Sequence, residues 1–98
     1  MSALRDYWNL GKATAEAGYK ARTKKSLPIK FNKGLGPALD DLTKAHGANK
    51  SADVTKYSKK AQEAIRNYQD QINAKANDLG AEGKALLTRL ARLAADAK

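Results

Sequence analysis

The sequence predicts an all-α fold: a small helical bundle of three to four helices with an extended basic linker at about residues 26–36. Alanine, lysine and leucine, all good helix formers, dominate the 98 residues. β-branched apolar residues are scarce, which leaves little from which to build a sheet. Apolar residues also recur at three- and four-residue steps over long stretches, as on one face of a helix. The length suits one domain, so we expect residues 1–98 to form a single helical domain.

The first predicted helix begins near Ser2, which is a good N-cap residue. Gly11 and Gly18 lie on or beside its apolar face, where a missing Cβ favours close approach of another helix. The helix should end before Pro28, because proline disfavours the α conformation in the residue that precedes it. The predicted face consists of Leu4, Trp8, Gly11, Ala15, Gly18, Tyr19 and Arg22.

The segment from Ser26 to Gly36 predicts an extended linker. Leu27, Ile29 and Phe31 occupy alternate positions in it, and successive side chains of an extended chain point to opposite sides. We therefore expect one side of the linker to lie on the core while its lysines face water.

Three further helices follow the linker. A short helix with an apolar stripe at Leu35, Leu39 and Leu42 should begin at Pro37 and end at His46-Gly47, with Gly47 as the left-handed cap. The longest helix should span about residues 51–79, or about 40 Å. Gly80 and Gly83 bracket a predicted break, after which a last amphipathic helix follows.

The stretch from Tyr19 to Lys33 is strongly basic. It carries six basic residues and no acidic one, in a chain of net charge +9. Such a density favours an anionic partner, and the nearby rings of Tyr19 and Phe31 could stack on bases. The competing interpretation is a solvated helix end whose cations favour the helix dipole. The candidate nucleic-acid-binding residues are Lys20, Arg22, Lys24, Lys25, Lys30 and Lys33.

These features predict a non-enzymatic protein that binds nucleic acid or another polyanion by charge, with weak sequence preference. The alternative is a structural or assembly subunit, of phage or plasmid type, or an interaction module whose basic linker docks an acidic protein. Self-association belongs to this alternative. Tyr7, Trp8 and Phe31 are candidate interface residues, although core packing competes with that role for Trp8.

The stretch from Leu42 to Tyr57 resembles a helix-turn-helix motif, with Gly47 after one helix and Ser51 before the next. It departs from the motif because His46 and Ala48 stand where larger apolar residues are preferred. The following helix is also far longer than a recognition helix. We therefore predict a plain helical hairpin here.

The chain has no cysteine and one histidine, so neither a metal site nor a nucleophilic site is indicated. We expect no enzymatic activity and no cofactor. The N-terminus lacks the continuous apolar stretch of a secretory signal, and no run approaches the length of a transmembrane helix. A cytoplasmic location is the default expectation, and leaderless export stays open.

Overall fold

A computed structural model describes residues 3–98, which form four α-helices and no β-strand. The helices are α1 (Ala3–Thr23), α2 (Leu35–Gly47), α3 (Ser51–Ala74) and α4 (Ala76–Asp96). The predicted all-α fold is thereby confirmed. Ser2, the predicted first N-cap, lies outside the described residues.

The four helices run alternately up and down the bundle. Helix α1 contacts both α2 and α4, and α3 does so as well. Tyr68 of α3 contacts the linker just before α2, and residues 48–50 join the other end of α2 to α3, so these two helices form an antiparallel hairpin. This is the hairpin predicted for residues 42–57. Gly11 lies beside Arg89 and Gly18 beside Glu82, so α1 and α4 are also antiparallel.

An aromatic cluster joins α1, the linker and α3 in the core. The indole of Trp8 stacks on the ring of Tyr68 at a centroid distance of 5.6 Å. Phe31 meets both rings edge-on, at 5.3 Å from Trp8 and 5.1 Å from Tyr68. The largest fully buried aliphatic side chains of the core are Leu35, Leu39, Leu42, Ile65, Ile72, Leu79, Leu86, Leu90 and Leu93.

The linker, residues 24–34, completes the bundle where α2 is too short. The bundle is 45 Å long, whereas the 13 residues of α2 span about 20 Å. Phe31 contacts α1 and α3 at once, so the linker fills the groove between these helices beyond the start of α2. Ile29 is buried, Leu27 and Phe31 are half-buried, and Lys30 is exposed. Lys30 thus faces water, as the alternation predicts, whereas Pro28 is half-buried like its neighbour Leu27.

The longest helix ends earlier than the sequence predicts. It stops at Ala74 and not near Leu79, because Lys75 leaves the helical conformation with φ −120°. One helical turn follows, and Gly80 then breaks α4 with φ 56° and ψ −129°. Ile72 and Leu79, which lie on either side of Lys75, are both fully buried. The apolar spacing therefore continues from α3 into α4 and does not reveal where α3 ends.

The end of α2 is capped by Asn49 and not by Gly47. Asn49 has φ 56°, and its N–H donates to the carbonyl oxygen of His46. The N–H of Lys50 donates to the carbonyl oxygen of Ala45, which completes a Schellman motif. Gly47 remains inside the helix because asparagine tolerates the left-handed conformation well enough to end it.

Two glycines of α1 are expected to respond oppositely to alanine. A Cβ on Gly11 would lie 1.9 Å from Cδ of Arg89. That side chain is held because it donates to the carbonyl oxygen of Tyr7 at 2.8 Å and lies 4.1 Å over the Tyr7 ring. Displacing it should make Gly11→Ala destabilising by about 1–2 kcal/mol, even after the gain in helix propensity.

At Gly18 the nearest atom to a Cβ is Cγ of Glu82, at 3.4 Å. Gly18→Ala should therefore keep the propensity gain of about 0.5–1 kcal/mol. Urea unfolding followed by circular dichroism measures both changes. If Gly11→Ala were as stable as Gly18→Ala, the contact between Gly11 and Arg89 would not be the constraint that this packing indicates.

Candidate polyanion-binding face

The six basic residues predicted to bind nucleic acid lie at the end of α1 and along the linker, and all six are exposed. They are Lys20, Arg22, Lys24, Lys25, Lys30 and Lys33. They therefore lie together on one continuous segment, but their side chains differ in whether they contact the rest of the fold.

Arg22 differs from the lysines because its side chain is engaged by α4. Its Nε donates to Oε1 of Glu82 at 3.0 Å, and Nη2 donates to the carbonyl oxygens of Asp78 and Leu79 at 3.1 and 3.2 Å. The guanidinium also lies 5.4 Å from the centre of the Tyr19 ring. Arg22 thus fastens α1 to the break in α4 and has less freedom to bind a ligand.

The other five cations have no acidic partner among the described residues. Carboxylates within residues 3–98 form ion pairs with Arg5, Arg22 and Arg92, and none pairs with a lysine of the segment. These five lysines are exposed to solvent. The five are Lys20, Lys24, Lys25, Lys30 and Lys33.

The backbone that carries two of these lysines is held by α3. The N–H of Lys30 donates to Oε1 of Gln71 at 2.8 Å, and Nε2 of Gln71 donates back to the carbonyl oxygen of Lys30 at 3.0 Å. The N–H of Lys33 donates to the hydroxyl of Tyr68 at 2.9 Å. These bonds order the main chain of the linker while both lysine side chains project into water.

One side of α3 extends this positive surface, which the sequence analysis did not predict. Lys60, Asn67 and Gln71 follow one another at steps of seven and four residues, so they share the side of α3 that Gln71 places beside the linker. Lys75 directly follows the end of α3, four residues after Gln71. Both lysines are exposed. The helical spacing of these residues is visible in the sequence. It predicts a surface shared with the linker only when the contact between Gln71 and the linker is already known. We call the combined surface the basic face; it comprises Lys20, Lys24, Lys25, Lys30, Lys33, Lys60 and Lys75.

The aromatic residues near the basic face are used inside the fold. Tyr19 is 3% exposed, and its hydroxyl donates to Oδ2 of Asp78 at 2.7 Å. This hydrogen bond to the Asp78 carboxylate raises the pKa of Tyr19 above its ordinary value, because only the protonated phenol can donate it. The expectation that Tyr19 stacks on bases is wrong because its ring is buried. The ring of Phe31 is likewise engaged, by Trp8 and Tyr68.

The proposed interface residues lie at different depths. Trp8 is 2% exposed, so core packing describes its position and an interface role does not. Tyr7 is half-buried under the guanidinium of Arg89, and Phe31 is half-buried in the linker. Both rings thus have contacts inside the fold and remain partly exposed, so an interface role for them stays a prediction.

Two further findings describe the surface as a whole. Among residues 3–98, no three histidine, aspartate or glutamate side chains come together in a way that could hold a metal ion. None of the helices in this part of the chain has both the length and the apolar character required to cross a membrane.

Comparisons of the chain with known protein families, curated proteins and solved structures gave no match. The function is therefore argued from the basic face alone.

Proposed function

We propose that this protein is a non-enzymatic nucleic-acid-binding protein, which binds the phosphate backbone through the basic face. The observation that carries the proposal is the set of five exposed lysines of the segment, none of which is paired with a carboxylate within residues 3–98. Nothing has to be displaced from these ammonium groups, except water and counterions, before they contact an anion.

The anchored linker supports the same proposal. Lys30 and Lys33 lie on a main chain already held by Gln71 and Tyr68, so binding costs little backbone entropy. Binding by ammonium groups to phosphates releases counterions and carries little sequence information. With Tyr19 buried, base stacking contributes little, and we expect affinity for duplex and single strands alike.

The test is a titration of fluorescent duplex and single-stranded DNA at several salt concentrations. We expect micromolar affinity at low salt, with a slope of log K against log salt of about −4 to −5 for duplex if five lysines contact phosphates. Lys30→Glu/Lys33→Glu should weaken binding and reduce the magnitude of the slope by about 2. The backbone hydrogen bonds of both residues survive these substitutions, so the fold should be retained.

The matched control is Lys59→Glu/Lys84→Glu, which changes the net charge equally at exposed lysines outside the basic face. Its affinity should fall much less. Equal losses in both variants would refute the placement of the site, and absence of binding at low salt would refute nucleic-acid binding altogether. In that second case, docking of an acidic protein on the same lysines becomes the proposal to test.

A further inference from the structure

The side of the bundle formed by α1 and α4 faces away from the linker and the α3 side, which carry every residue of the basic face except Lys20 of α1. It holds a surface groove of about 410 Å³ between the two helices. The groove is lined by small residues, among them Thr14 and Gly18 of α1 and Ala81 and Ala85 of α4, and by the charged side chains of Arg22, Glu82 and Arg89. Leu10, in the same helix α1, is a large apolar side chain that is 63% exposed.

The outer side of α1 is apolar between two charges. From Asp6 to Lys20 it presents Leu10, Ala13 and Ala17, all of them exposed. Within residues 3–98, neither Asp6 nor Lys20 takes part in an ion pair. A negative end, an apolar middle and a positive end therefore follow one another along this side of the helix.

Two independent features of this side share one centre of symmetry. Leu10 lies three residues before Ala13 in α1, and the midpoint between the groove residues Thr14 and Gly18 lies three residues after it. Asp6 lies seven residues before Ala13, and Lys20 lies seven residues after it. A two-fold axis that is perpendicular to α1 and passes beside it at the level of Ala13 would therefore seat each Leu10 in the groove of the other copy. The same axis would place each Asp6 against the partner's Lys20.

We propose that a second copy of this chain covers this side, with the two α1 helices packed antiparallel about Ala13. When two copies of α1 lie antiparallel, the negative end of each helix meets the positive end of the other. A parallel arrangement would bring like-charged ends together, so the charges favour an antiparallel second copy. Such an isologous contact closes on itself and makes a dimer. The small residues of both helices let the backbones approach closely. Every residue of the basic face except Lys20 stays outside this contact, and Lys20 pairs with the partner's Asp6 instead of a phosphate.

Sedimentation velocity of the full chain from about 1 µM to about 1 mM tests the proposal, since this range covers weak and moderate affinities. We expect a monomer–dimer equilibrium for the natural sequence. Leu10→Lys should weaken dimerisation by about tenfold or more, because it would bring a cation into the partner's groove beside Arg22 and Arg89. Circular dichroism should show an intact monomer, since Leu10 is mostly exposed.

A charge exchange tests the antiparallel register. Asp6→Lys alone and Lys20→Glu alone should each weaken the dimer, because each places like charges opposite one another across the axis. The double variant Asp6→Lys/Lys20→Glu should restore the affinity of the natural sequence. A monomer throughout the concentration range, a dimer unaffected by Leu10→Lys, or a double variant no tighter than the single variants would each overturn the proposal.

Discussion

Trp8→Ala is expected to lower the free energy of unfolding by about 3–5 kcal/mol. Trp8 is 2% exposed, stacks on Tyr68 and meets Phe31 edge-on, so its loss opens a cavity where α1, the linker and α3 meet. Small domains have a total stability of about 5–15 kcal/mol, and this change removes a large part of it. The linker should loosen as well, since Phe31 loses one of its two aromatic neighbours.

Denaturant unfolding measures the loss, and hydrogen exchange at the amides of Lys30 and Lys33 reports on the linker. Leu10→Ala is the control, because it truncates a mostly exposed residue of the same helix and should change the stability of the monomer by no more than about 0.5 kcal/mol. The unfolding comparison should be made at low protein concentration, where the proposed dimer is dissociated. A loss of less than about 1 kcal/mol for Trp8→Ala would show that the aromatic cluster does not hold the bundle together.

Gly80→Ala is expected to cost about 2–3 kcal/mol. Gly80 has φ 56° and ψ −129°, a conformation that residues with a Cβ rarely adopt. No atom outside its immediate neighbourhood lies within 4 Å of a Cβ built there, so the cost would come from the backbone and not from a clash. The break cannot relax easily, because Arg22 and Tyr19 bind the helical turn that precedes it.

Gly34→Ala is the matched comparison for Gly80→Ala. Gly34 also has open space around a Cβ, but its φ of 70° and ψ of 32° lie in the left-handed region that other residues can enter. We expect it to cost about 1 kcal/mol, clearly less than Gly80→Ala. Thermal and urea unfolding of both variants give the ranking. An equal or greater loss for Gly34→Ala would mean that the break at Gly80 relaxes when its glycine is replaced.

Helical periodicity predicted most of the core correctly. Leu35, Leu39 and Leu42 are fully buried, as their spacing indicates. The alternation of Leu27, Ile29 and Phe31 likewise predicted which side of the linker faces inward. In both cases the information is local, because buried side chains recur every three to four residues in a helix and every two residues in an extended chain.

The boundaries were less predictable than the buried faces. The apolar pattern does not show that α3 ends at Ala74, because Ile72 before this end and Leu79 after it are both buried at helical spacing. At the end of α2, Gly47 and Asn49 are both chemically suitable caps. Which of them takes the left-handed conformation depends on the hydrogen bonds that follow it, and composition does not reveal these.

The sequence by itself determined the all-α class, the apolar faces and the concentration of positive charge between Tyr19 and Lys33, since these depend on residue type and spacing alone. The tertiary structure alone decided which of these residues remain available to a partner. Arg22 and Tyr19 are drawn to the break in α4, whereas Lys60 and Lys75 join the linker lysines through Gln71. The physical reason is that availability depends on contacts between residues about 40 to 60 positions apart, and such contacts exist only after the helices have packed.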